Sequence, residues 1–155
     1  MTIQPKIKIN DCSLLRKNLN EIYDCASQLV LARWALKLAQ HIMQITSYPN
    51  SENEIIKRGF TTNEAWQKGE ARMHDVRQAG FKIHALAREQ TNEVNKTVLR
   101  VIGQAIGTGH MREHAMVASD YAIKVINLIS PDNQQAVVEE RKWQIKSLSD
   151  EINRN

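Results

Sequence analysis

Residues 28–39 read Gln28-Leu29-Val30-Leu31-Ala32-Arg33-Trp34-Ala35-Leu36-Lys37-Leu38-Ala39, with Arg33 and Lys37 as the only charges. Wound as a helix, this stretch is apolar almost all round, and such a helix must be covered on nearly every side. No apolar run in the chain reaches the roughly 18 residues needed to cross a bilayer. The cover must therefore come from other helices, and this segment is expected at the centre of a bundle. The chain has 155 residues, 42% of them hydrophobic, which suits one domain with a real core. Six Gly and three Pro are too few for a turn-rich β-sandwich. The expectation is an all-α, compact antiparallel bundle of about six or seven helices in a single domain.

The remaining elements follow from periodicity and local breakers. Residues 1–10 alternate apolar and basic (Ile7-Lys8-Ile9) and read as an extended N-terminal arm, leaving 11–155 as the helical domain. Asp11 is placed to cap a first helix carrying Leu15, Leu19 and Ile22. Whether this helix continues into the one over 27–46 is open at this level. After Tyr48-Pro49-Asn50, Ser51 with Glu54 predicts a capping box for a short helix ending near Gly59, and Thr61 with Glu64 predicts a second for the helix bearing Trp66. Gly69 either ends that helix or is absorbed into it.

Residues 70–90 are the clearest amphipathic segment. Met73, Val76, Gly80, Ile83 and Ala87 form one stripe, and His74, Arg77, Phe81, His84 and Arg88 lie beside it. Thr91-Asn92 are placed to cap a helix through Val98, Val101, Ile102 and Ala105. Gly107-Thr108-Gly109 interrupts or kinks it before a helix predicted from about His110 to Leu128. Ser130-Pro131-Asp132 is expected to start the last helix, since Pro suits a first turn.

Lys and Arg number 21 against 17 Asp and Glu, a formal +4. The basic residues are dispersed and usually sit near acids, as in Glu139-Glu140-Arg141-Lys142, which reads as solvated surface. With no run of four basic residues and only eight aromatics, a nucleic-acid platform is hard to assemble. The first residues, Met1-Thr2-Ile3-Gln4-Pro5-Lys6, lack a signal peptide's apolar segment, and Cys12 and Cys25 read as free thiols. A cytoplasmic protein with no nucleic-acid and no membrane partner is expected.

The sharpest local motif is His110-Met111-Arg112-Glu113-His114. Two His four apart share a helical face and can reach one Zn²⁺, and the string fits His-x-x-Glu-His, the inverted zinc-protease pattern. Only 41 residues follow His114, and they hold no further His or Cys. His84 is the available third metal ligand. The plainer reading has both His packed or hydrogen-bonded internally, with no metal and no cofactor. The Gly103-x-x-x-Gly107-x-Gly109 run lacks the preceding strand and the Lys-Ser/Thr ending of a phosphate loop. Close helix–helix approach explains it better, because each interior Gly costs a helix about 1 kcal/mol. His74, Arg77, His84 and Arg88 are either a semi-buried rim, with Arg heads on Glu89 or Glu93, or a polar pocket shared with His110 and His114. No Ser-His-Asp or Cys-His set stands out, so no catalytic residues are assigned. Trp34, Trp66 and Trp143 are expected to anchor the core.

Several of these pieces occur together in a recognisable order. They are Trp34-Ala35-Leu36-Lys37-Leu38-Ala39, Ala65-Trp66-Gln67-Lys68-Gly69-Glu70-Ala71-Arg72 and Ala79-Gly80-Phe81-Lys82-Ile83-His84-Ala85-Leu86-Ala87-Arg88. Gly103-Gln104-Ala105, His110, His114-Ala115, Tyr121-Ala122, Glu140 and Trp143-Gln144 complete the set. Over roughly residues 27–148 the chain resembles a bacterial family of immunity proteins, small all-helical domains attributed to toxin–immunity systems. Gly107 and Gly109 stand where that family tends to have Ala, and Glu113 falls outside its pattern.

The resemblance implies a non-catalytic protein that binds and neutralises a cognate bacterial toxin. It marks His84, Arg88, His110 and His114 as a polar cluster, and Trp34, Trp66, Gly103, Tyr121 and Trp143 as structural anchors. The competing reading is a metal-binding protein or metal-dependent hydrolase on His84, His110 and His114. A third is a stand-alone helical structural protein or a homodimer, since helical bundles often pair.

Overall fold

The computed structural model describes residues 4–154. Among them are seven α-helices and no strand: α1 (Ser13–Cys25), α2 (Gln28–Ile45), α3 (Glu54–Gln67), α4 (Met73–Arg88), α5 (Glu93–Gly107), α6 (His114–Ile129) and α7 (Gln134–Asn153). The all-α reading holds. In the arm, exposure alternates residue by residue from Gln4 to Asn10, and Ile9 packs on Ile123, Ile126 and Val137.

The all-round apolar segment is α2, and it is the centre of the bundle. Val30, Leu31, Trp34, Ala35, Leu38, Ala39 and Ile42 are buried, and α3, α5, α6 and α7 all pack against it. Ser27 caps it by accepting from the Val30 amide at 3.2 Å. The extended backbone at Ala26 and Ser27 separates α1 from α2, which settles the continuity question.

The helix starts show where local signals misled. Asp11 does not cap α1; its carboxylate pairs with Arg141 instead. The two capping boxes expected around 51–64 do not form. Asn53 caps a single continuous α3 through the Ile55 and Ile56 amides, while Thr61 and Thr62 turn their hydroxyls back onto the Arg58 carbonyl. Gly59 therefore lies inside α3, facing Ile83 and Ile106 of α4 and α5. Gly69 follows the end of α3 with φ of +75°, the left-handed conformation that favours Gly after a helix. Pro131 and Asp132 form a turn, and Asn133 caps α7 through the Ala136 amide.

Helices α4 and α5 run antiparallel in close contact. Gly80 faces Gly103 and Gly107, while His84, one turn on, faces Gly103 and Arg100. Helix α6 also packs along α5.

Candidate functional site

The α4–α5 seam is built on glycines because backbone must approach backbone there. A Cβ added at Gly80 would lie 3.3 Å from the Gly103 carbonyl oxygen. One added at Gly103 would lie 2.7 Å from Cε1 of His84, and one at Gly107 would lie 3.1 Å from Cδ2 of His114. The missing side chains of Gly103 and Gly107 thus make the space that two imidazoles fill. This is the close approach expected for the Gly run.

His110 departs from the sequence reading. Helix α6 begins at His114, and residues 108–113 form a turn, so the two His do not share a helical face. The turn is held from several sides. The Arg112 guanidinium donates to the Tyr23 and Ala26 carbonyls at 2.8 and 2.7 Å, closing the end of α1, and lies 4.3 Å over the Tyr23 ring. Gln28 donates to the Thr108 carbonyl, and Asn63, fully buried, donates to that of Ile106. Folded this way, the turn brings His110 back over His114, with ring centroids 5.8 Å apart.

His84, His110 and His114 line one small cavity of about 30 Å³, together with Arg77, Gly80, Phe81, Gly103 and Gly107. Arg88, a turn further along α4, does not line it and is exposed. Among the described residues neither Arg77 nor Arg88 forms an ion pair with Glu89 or Glu93; Arg77 instead lies 5.0 Å over the Phe81 ring. A larger groove of about 290 Å³ runs between α3 and α4, past Ile55, Gly59 and Ala79, but none of the singled-out polar residues reaches it.

The protonation states follow from the partners. Arg100 Nη1 lies 2.9 Å from His84 Nδ1 and can only donate, so Nδ1 accepts and a neutral His84 carries its proton on Nε2. Burial, then the charges of Arg100, His114 and Arg88, push the His84 pKa down to about 4. His114 Nδ1 lies 2.7 Å from the Gln104 side-chain oxygen, so Nδ1 is the donor there. Burial, followed by His110 and Lys6, lowers the His114 pKa, with Glu113 acting the other way.

Such surroundings disfavour a metal cation. Arg100 occupies Nδ1 of His84, and Arg77 stands at the cavity wall. Among the described residues no group of three or more His, Cys, Asp or Glu is arranged to hold a metal ion.

A second polar centre was not legible in the sequence. Arg141, expected on a solvated face, is fully buried. It donates to Asp11 at 2.9 and 2.7 Å, to Asp120 at 2.8 Å, and to Ser119 and Gln144. Arg16 chelates the same Asp120 through Nε and Nη2 at 3.0 and 2.9 Å. Burial opposes the Arg141 charge, but Asp11 and Asp120 outweigh it and raise its pKa above the ordinary value. Beside this network His41 Nε2 meets Glu140 at 2.7 Å, and the His41 ring stacks on Trp143 at 3.7 Å. The signal that existed was helical spacing: Val137, Glu140, Arg141, Gln144 and Leu148 lie on the buried side of α7.

The expected anchors are placed as follows. Trp34 is fully buried and donates to Ser147 at 3.0 Å and to the Gln144 carbonyl at 3.2 Å. Trp66, Tyr121 and Trp143 are partly buried against the main core, and Gly103 sits beneath His84. No helix among the described residues is long and apolar enough to cross a membrane.

The chain matches no curated protein and no solved structure. The family model described as Imm-5 like putative immunity protein matches residues 21–151, from within α1 almost to the end of α7, and the chain belongs to that family.

Proposed function

We propose that this protein is a non-catalytic, cytoplasmic immunity factor of a bacterial toxin–immunity system, neutralising a cognate protein toxin by binding it. The observation that carries this reading is the family match over residues 21–151. The chemistry of the interior is in keeping with it. His84 is tied to Arg100, His114 to Gln104, and His41 to Glu140 and Trp143, so these groups hold the scaffold. A rigid surface of about 800 Å² is what a stable complex requires of each partner.

The test is co-expression with the product of the neighbouring open reading frame. The expected result is growth inhibition by the neighbour alone, relief when this protein is present, and a complex that survives purification. A harmless neighbour, or relief without any complex, would remove the proposal.

A further inference from the structure

The cavity at the α4–α5–α6 junction opens beside an aromatic–arginine pair. Phe81 is 50% exposed although it is a large apolar side chain, and Arg77 lies over its ring. Aromatic and Arg side chains of this kind are the usual anchors of protein interfaces. Around them the charge balance is one-sided. Arg77 lines the cavity; Arg88 and Arg100 act on His84, and Lys6 of the arm acts on His114. No acidic side chain is among the described residues that line the cavity.

The hydrogen-bond roles point the same way. A neutral His84 keeps a proton on Nε2, and His114, with Nδ1 engaged by Gln104, can take one on Nε2 when negative charge approaches. At about 30 Å³ the cavity holds roughly a water or two, so a partner group would sit at its mouth.

We infer that the α4 face formed by Arg77 and Phe81, with the His84–His110–His114 cavity behind it, docks an acidic segment of the partner protein. A carboxylate sits at the cavity mouth and an apolar neighbour packs on Phe81. The inference rests on the toxin-binding reading for the identity of the partner, but the surface can be tested without a toxin.

The probe is the peptide acetyl-Glu-Glu-Leu-Glu-Glu-Leu-amide, followed by NMR at the His imidazoles and the Phe81 ring, with its Lys-for-Glu counterpart as control. Saturable shifts at His110, His114 and Phe81 are expected with the acidic peptide alone. They should weaken about tenfold in Arg77→Glu, and severalfold in Phe81→Ala and on raising the salt. Both residues are exposed, and the backbone spectrum verifies that each variant stays folded. Shifts of equal size with the Lys peptide, no saturable shift, or tighter binding of a single-stranded oligonucleotide would overturn the inference. The toxin experiment separates the two readings. Protection retained in full by Arg77→Glu and Phe81→Ala removes the docking surface and leaves the toxin reading. Peptide binding by a protein that protects against nothing removes the toxin reading and leaves an acidic-segment site.

Discussion

Gly103→Ala should destabilise this protein, although the usual sign for Gly to Ala inside a helix is the opposite. Gly103 lies within α5, where Ala is favoured over Gly by about 1 kcal/mol. The three atoms nearest an added Cβ all belong to the His84 ring, at 2.7, 2.8 and 3.0 Å. Carbon atoms pack comfortably at about 3.5–4.0 Å, so the ring must move. It is not free to do so, because Arg100 holds Nδ1 at 2.9 Å. Either the ring stays and is overpacked, at about 1–3 kcal/mol, or it yields and gives up its charged hydrogen bond, at about 1.5–3. Offset by the helix propensity, a net loss of about 1–2 kcal/mol is expected. For a chain of this size that lowers Tm by roughly 2–8 °C. The decisive comparison is His84→Ala, which removes the obstruction. In that background Gly103→Ala should stabilise by about 0.5–1 kcal/mol, giving a coupling of about 2 kcal/mol. Urea unfolding of the four proteins, followed by helical circular dichroism, measures the whole cycle. A stabilising Gly103→Ala in the otherwise native chain, or an equal loss with and without His84, would refute the account of the seam.

Four other outcomes turn on particular residues. Asp120→Asn leaves Arg141 and Arg16 buried with one acceptor charge fewer, so unfolding titrations should show a loss of about 3–5 kcal/mol. Lys146→Ala, at an exposed pair with Asp150, should change stability by less than about 0.5 kcal/mol in the same assay. The His84 pKa is about 4 in the folded protein against 6.5 ordinarily, so the unfolded chain takes up the proton first. The stability this group contributes is complete above pH 6.5 and is lost as pH falls toward 4. A sealed site would lose about 3 kcal/mol, which solvent reaching the cavity reduces to about 1–2. Unfolding free energies across that window should fall less steeply in His84→Gln, and identical slopes would contradict the assignment. At Gly69, where φ is +75° and no atom lies within 4 Å of an added Cβ, Ala should cost about 1–2 kcal/mol from backbone strain alone. Gly69→Asn should cost less by thermal melting, since Asn tolerates that conformation.

What could be read from the sequence was decided within a few residues along the chain. The apolar surround of residues 28–39 demanded cover on every side, and α2 received it. Asn92 caps the helix it precedes, because a cap needs only the amides two or three residues on. The same local logic misjudged Ser51, Thr61 and His110. Each carried a plausible start signal, yet Asn53 supplied the cap for α3, and anchoring of the 108–113 turn by Arg112 moved the start of α6 to His114. Of the polar cluster, His84, His110 and His114 converge and Arg88 does not, and that convergence depends on α4 and α5 meeting at glycine. Arg141 shows the limit most plainly. Its neighbours in the chain are charged, as on a solvated face, but its partner Asp11 lies 130 residues away. Burying a guanidinium is tolerable only where carboxylates from other elements meet it, so its position is settled by packing. Helices came from interactions of short range along the chain. The buried ion network and the histidine cavity came from distant segments brought together, and only the tertiary structure could decide them.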